Sequence, residues 1–297
     1  MLSGVSLICF AGSYLVVLLL EISRLFFRNT LQLFLLLGFA VAGLVAHSIY
    51  LAPRIEQGLQ MRGVPLANWY HWCLILAWGL AAVYLLVAIQ RLQSPVGLFL
   101  LPMVLGAIAM AQTFPEDQVL STHEADRVWF ALHGVTLLLG TASVVVGFSC
   151  GVMYLVQSYR LKQHLPSRES FRLPSLEWLQ LMSERSLILS ICLLVFGLLA
   201  GLVLNILHDG LVPWSDPVIG TSGLLFVWLI AVANFNAWHK PARQGRKVAY
   251  QTVASFVVLA LVLSMVLLGL SLHALPTPLA EPGTPIDVGA PPLGGAR

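Results

Sequence analysis

Residues 186–207 read SLILSICLLVFGLLAGLVLNIL, an apolar run without a charge, held between Arg185 and His208-Asp209. A helix rises about 1.5 Å per residue, so such a run covers about 30 Å, the hydrocarbon thickness of a bilayer. Runs of the same kind recur to either side, at 2–21, 31–52, 68–90, 96–112, 128–156, 220–238 and 248–273. The expected fold class is therefore an all-α integral membrane protein with about eight transmembrane helices, forming one polytopic membrane domain over residues 1–273. Composition agrees: 58% of residues are hydrophobic and 10% charged, whereas soluble domains carry roughly 25% charged residues. The first run has no basic residues ahead of it and no small-residue cleavage site, and is read as a span rather than a removed signal.

Charge fixes the expected orientation. With the N-terminus outside, the inner segments carry Arg24, Arg28, Arg91, Arg160, Lys162, Arg168, Arg172, Arg185, Lys240, Arg243, Arg246 and Lys247, against Arg54, Arg62, Arg127 and Arg297 outside. Twelve against four is a clear positive-inside bias. Eight spans return the C-terminus to the outer side as well. The net charge of +3 thus reports topology and gives no sign of nucleic acid; the partner it does imply is the lipid bilayer. The Pro- and Gly-rich tail 274–297 is expected to be disordered. Outer connections are expected at 53–67 and 113–127. A basic inner loop at 157–185 is expected to hold a short interfacial helix capped by Ser175, with Leu176, Leu179 and Met182 on its apolar face.

The four cysteines, Cys9, Cys73, Cys150 and Cys192, are scattered singly, with no Cys-x-x-Cys or Cys-x-x-Cys-His. Thiol exchange and covalent haem attachment to this chain are both disfavoured. No Gly-rich phosphate loop, nucleophile elbow or His-Glu-x-x-His motif occurs. Carboxylates are almost absent from the spans, with Glu21 at a helix end, which argues against an ion pump.

The histidines are the more telling residues. The expected topology puts six of eight outward: His47, His71, His123, His133, His208 and His273. His133 lies about one turn into the fifth span and His273 at the outer end of the eighth. Two neutral imidazoles in one layer can fill both axial positions of a haem iron; either one alone reads better as a helix-end anchor. Between their helices runs the loop His208-Asp209-Gly210-Leu211-Val212-Pro213-Trp214-Ser215-Asp216-Pro217, free of Lys and Arg. Trp214 offers a flat face to a porphyrin, and Asp216 either starts a turn before Pro217 or orients an imidazole. An ordinary Asp-Pro turn beside an interfacial Trp fits equally well. His47 and His71 are haem or quinone contacts or, the stronger reading, packing residues. His208 is a metal or proton site or a solvated loop residue. His239, after Trp238, reads as an inner helix-end histidine. Arg54, Arg62 and Arg127 are the outer cations that haem propionates would find.

The chain resembles the cytochrome c assembly protein family, the haem-handling group that includes CcsA, CcmC and HemX-type proteins. Four stretches carry the resemblance. Gly63-Val64-Pro65-Leu66-Ala67-Asn68-Trp69-Tyr70, followed by Leu76-Ala77-Trp78, is similar to the family's early Pro-Leu-x-Asn-x-Tyr segment. Trp129-Phe130-Ala131-Leu132-His133 leads a helix ending in Gly151-Val152-Met153-Tyr154-Leu155. Leu173-Pro174-Ser175-Leu176-Glu177 precedes the sixth span. Trp214-x-Asp216-Pro217 is followed by Trp238-His239, by Gly245-Arg246-Lys247-x-Ala249-Tyr250, and by Gly269-Leu270-x-Leu272-His273. The matching order covers roughly residues 60–275.

The resemblance implies a haem-handling role in cytochrome c biogenesis, with haem taken within the bacterial inner (plasma) membrane and presented at its outer face. His133 and His273 would be the axial ligands, and Trp214, Asp216 and Pro217 the remnant of the haem loop. His239 would be the membrane histidine that receives haem. The haem would be held non-covalently, as b-type, and iron bound only through it. Partners would be other cytochrome c maturation membrane proteins and apocytochrome c. The protein would not itself be an enzyme. The chain departs from the family where the loop continues Val218-Ile219-Gly220-Thr221 instead of Asp-Pro-Lys-Glu-Thr and carries a single tryptophan. These departures shift it toward the smaller HemX-like members. Two alternatives stay open: a HemX-like regulator of tetrapyrrole synthesis, and a transporter whose histidines are incidental.

Overall fold

The computed structural model describes residues 7–26, 29–62, 68–92, 94–114, 127–163, 173–209, 217–238 and 245–267. They form eight α-helices: α1 Leu7–Ser23, α2 Thr30–Arg62, α3 Trp69–Gln90, α4 Gly97–Ala111, α5 Arg127–Lys162, α6 Leu176–Asp209, α7 Pro217–Trp238 and α8 Gly245–Leu267. Each expected apolar run has its helix. Among the described residues five stretches are long and apolar enough to cross a membrane: Thr30–Gln60, Trp69–Gln90, Val128–Lys162, Leu176–Leu207 and Gly245–Met265. The helices α1 and α4 are shorter, and α4, with 15 residues, is about 22 Å long. A multi-pass membrane protein follows from these helices.

Local chemistry sets several helix ends. Asn68, buried, accepts a hydrogen bond from Tyr70 N–H at 2.9 Å and caps α3. Ser175 Oγ accepts from Trp178 N–H and caps α6. Pro217 is the first residue of α7, the helical position where a missing N–H costs nothing. Inside the helices the hydroxyls return to their own backbone: Ser13 to Cys9 O, Ser48 to Leu44 O, Ser143 to Leu139 O and Ser149 to Val145 O. In an apolar setting this satisfies a polar group without water. Replacing Asn68 with alanine should remove about 1 kcal/mol from the α3 end, read as a lower unfolding temperature with an unchanged helical spectrum.

Two expected boundaries are corrected. The outer connection at 53–67 is shorter, because α2 continues through Pro53 to Arg62. Arg54 helps: its guanidinium donates to Tyr50 O at 3.0 Å and lies 3.7 Å from the Tyr50 ring centre. The helix beginning at Leu176 is the first part of α6 rather than a separate interfacial element. Leu179 is fully buried and, with Leu173, packs against Val96, Leu100, Cys150 and Met153, so this apolar face meets protein instead of headgroups. The tail 274–297 lies outside the described residues.

Helices α1 and α2 run antiparallel, with Tyr14 against Gly43 and Phe10 against His47, and so do α2 and α3, with Ser48 bonded to Trp78 and Tyr50 to Tyr70. One apolar cluster joins α1, α2, α3 and α4 around Phe10, Tyr14, Tyr50, Tyr70, Leu74 and Val104. Another joins α5, α6, α7 and α8 around Val144, Leu187, Leu194, Leu225, Leu229 and Val248. Between them stands α5, with Val145 in the first group and Val144 in the second. Outward-facing Phe34, Phe196, Leu224, Val227 and Leu261 are exposed, as expected of surfaces that meet lipid tails.

Glycines set the helix spacing in the α5–α8 half. A methyl group built on Gly140 would stand 2.8 Å from Leu194 Cδ2, one on Gly147 3.2 Å from Ser186 Cβ, and one on Gly151 3.1 Å from Ala249 O. The positions 140 with 194 and 147 with 186 give an antiparallel register of α5 on α6.

Candidate functional site

The register carries directly to the end of the bundle where α5 begins. Gly147 faces Thr252 of α8, and the Phe148 and Phe256 rings stack with centroids 4.2 Å apart. His133 lies fourteen residues before Gly147, and fourteen beyond Thr252 is Val266. In α7, Trp228 Nε1 donates to Ser255 Oγ at 3.0 Å. Eleven residues before Trp228 is Pro217, and eleven beyond Ser255 is again Val266. The start of α7, the last turn of α8 and His133 therefore share one layer.

Within that layer His133 is held tightly. Its Nδ1 is 2.8 Å from Gly197 O on α6. A carbonyl only accepts, so Nδ1 carries the proton and donates it. The ring then keeps Nε2 as its lone-pair nitrogen. Its Nδ1–Cε1 edge meets Gly201: a methyl there would stand 2.6 Å from Cε1 and 2.7 Å from Nδ1. One turn along α5, Thr136 Oγ1 donates to Leu132 O at 2.6 Å and lies 3.1 Å from His133 O. Adjoining His133, Gly134 receives the indole of Trp72 from α3, whose Cζ2 and Cη2 occupy the space a side chain would take.

Trp72 begins a polar and aromatic group on the α1–α3 side. Tyr70 and Tyr50 hydroxyls are 2.6 Å apart, and the Tyr70 and His71 rings meet edge to face at 5.4 Å. His47 is wholly buried. It stacks on Phe10 with centroids 4.1 Å apart and planes 7° apart, and its Nδ1 lies 3.3 Å from the Tyr14 hydroxyl. His47 and His71 thus stand on the α2 and α3 side of the bundle, with aromatic neighbours. Among the described residues no three His, Cys, Asp or Glu side chains come together as a metal cage.

Of the other residues singled out in the sequence, Pro217 opens α7 and His208 lies in the last turn of α6. His273, Trp214, Asp216 and His239 lie outside the described residues, as do His123 and His164. Two features have a role in the structure that the sequence does not show. Gly197-x-x-x-Gly201 was legible only as a packing motif, yet it seats the imidazole of His133. Glu21, read as a helix-end residue, is 1% exposed and receives the Tyr84 hydroxyl at 3.0 Å. The spacing of Arg24 to Glu21 was the one available signal, and their side chains are 3.6 Å apart.

Residues 66–273 match the Cytochrome C assembly protein family. The chain belongs to that family. Similar relatives include proteins named cytochrome c biogenesis protein CcsA. The protein of that name from Microcystis aeruginosa is 25% identical over 294 residues, covering 80% of this chain and 85% of the relative. That of Gloeothece citriformis is 26% identical over the same shares. That of a Synechococcus strain is 27% identical over 139 residues, 45% of this chain and 40% of the relative. For that last protein, then, the chain spans well under half of its length. No solved structure matches. For this cytochrome c assembly family member, Asn68 and Tyr70 of the early signature have a structural use, the α3 cap and the contact to α2.

Proposed function

We propose that this member of the family handles haem for cytochrome c biogenesis, as an eight-span protein of the bacterial inner membrane with both termini outside. Residues 1–273 would be the membrane domain and 274–297 a tail. In this reading His133 and His273 hold the iron of a non-covalent b-type haem, and Trp214, Asp216 and Pro217 form the loop against its face. His239 would hold haem on its way across the membrane, while His47, His71 and His208 would serve as secondary contacts. Other maturation proteins and apocytochrome c would be the partners, and bond formation would occur only in their complex.

The observation that carries the reading is the state of His133. An imidazole that ligates iron almost always donates its second nitrogen to a carbonyl or carboxylate, and His133 already does so toward Gly197 O. The register adds support, since the α8 turn that leads toward His273 and the α7 start that follows Asp216 reach the level of His133. A bound haem would supply an iron centre whose equatorial positions are filled by its own ring, so two imidazoles suffice without a wider cage.

A deletion strain separates this role from regulation of tetrapyrrole synthesis. Loss of c-type cytochromes with unchanged haem precursors is the expected result, restored by the wild-type gene and not by His133→Ala. Normal cytochromes with altered precursor levels would overturn the assignment and favour the regulator.

A further inference from the structure

The turn of α6 from Gly197 to Gly201 does more than pack two helices. We propose that it is the positioning element of His133: it fixes where the ring lies, which nitrogen carries the proton, and so which nitrogen meets iron. This rests on the reading above that His133 binds haem.

Three observations meet on this one turn. The carbonyl of Gly197 takes the Nδ1 proton at 2.8 Å. In helical geometry the same carbonyl is the acceptor for Gly201 N–H, and its two lone pairs can serve both donors. Gly201 leaves open the space that the ring fills, since a methyl would fall 2.6 Å from Cε1 and 2.7 Å from Nδ1. Gly197 cannot grow either, because a methyl there would meet Leu137 Cδ2 at 2.7 Å and Thr136 Oγ1 at 2.9 Å. Thr136 holds its hydroxyl on Leu132 O, within its own helix. A ring seated this way has one tautomer. Its Nε2 is made more basic by the hydrogen bond at Nδ1, which strengthens a bond to ferric iron.

Packing alone would make the glycines at this interface interchangeable. Gly140 provides the comparison, because it too sits between α5 and α6, a methyl there would crowd Leu194 at 2.8 Å, and it has no contact with His133. Gly201→Ala should therefore do something that Gly140→Ala does not.

The test uses the full chain in detergent, labelled with 15N-histidine, with the His133 signals assigned by their loss in His133→Ala. Without haem, wild type and Gly140→Ala should show the Nδ1-protonated tautomer, and Gly201→Ala should lose it. On titration with haemin, Gly201→Ala should bind about 10- to 100-fold more weakly than wild type and take on the spectrum of His133→Ala. Added imidazole should restore the low-spin spectrum to both variants. A Gly201→Ala protein with the wild-type tautomer and spectrum would overturn the inference and leave the haem reading standing. A wild type that takes up no haem would overturn the haem reading, and the tautomer comparison would still decide whether the glycines position the ring.

Discussion

Replacing His133 with alanine is expected to weaken haem binding by more than about 100-fold, beyond the upper range for removing a group that only hydrogen-bonds a metal ligand. The imidazole is the iron-binding group in this account, so its loss removes a coordinate bond rather than its support. The variant should still fold. Gly197 O keeps its helical partner, and α5 and α6 remain joined through Leu137, Leu187, Leu194 and Leu198. Haemin titration followed by absorbance checks the affinity, and thermal unfolding of the haem-free protein checks the fold. A variant that is equally stable and binds as well as wild type would remove His133 from the site.

The second large effect lies at the opposite end of the bundle. Glu21→Ala should destabilise the protein by about 3–5 kcal/mol, the usual cost of breaking a buried charge pair from one side. Glu21 is 1% exposed and Arg24 12% exposed. The carboxylate takes the Tyr84 hydroxyl at 3.0 Å and fills the space beside Gly97, where a methyl would meet Oε1 at 2.7 Å. Arg24 meanwhile donates to Leu92 O at 2.7 Å, tying α1 to the α3–α4 connection. Removing the carboxylate leaves a largely buried guanidinium without its counter-charge and a buried phenol without its acceptor. Glu21→Gln, which keeps an acceptor for Tyr84, should cost less. In unfolding temperature the alanine variant should fall by roughly 6–20 °C, at about 2–4 °C per kcal/mol. Haem binding, at the other end of the bundle, should persist; an unchanged unfolding temperature would show the cluster to be incidental.

The fold was largely legible because lipid imposes a simple rule on sequence: a span must be apolar for about 20 residues and must satisfy its own backbone. Residues 186–207 announce α6 for that reason. What the apolar runs do not encode is where a helix stops once it has left the hydrocarbon. Pro53 looked like a break, yet Arg54 binds the Tyr50 carbonyl across it and α2 continues to Arg62. Likewise Leu176, Leu179 and Met182 showed an apolar face without showing whether lipid or protein covers it. Protein does.

The candidate site was legible in part. His133 could be picked out by its depth in the fifth span, and the cap before Tyr70 by its Asn68. The partner of His133 could not, because it is a backbone carbonyl 64 residues away, and carbonyls leave no mark in sequence. Gly197 and Gly201 left a mark that is shared with every close helix crossing in a membrane. Only the antiparallel register of α5 on α6 turns that spacing into a seat for an imidazole. For Glu21 the sequence gives only a place at the end of α1, because the Gly97 and Tyr84 that enclose it arrive from α4 and α3.

The central claim is that His133 offers Nε2 to a haem iron, and the most direct measurement is the electron paramagnetic resonance spectrum of the purified chain loaded with ferric haem. The account predicts a low-spin, two-imidazole signal from wild type that turns high-spin in His133→Ala. A wild type that retains no haem, or a His133→Ala protein with the same low-spin signal, would contradict it.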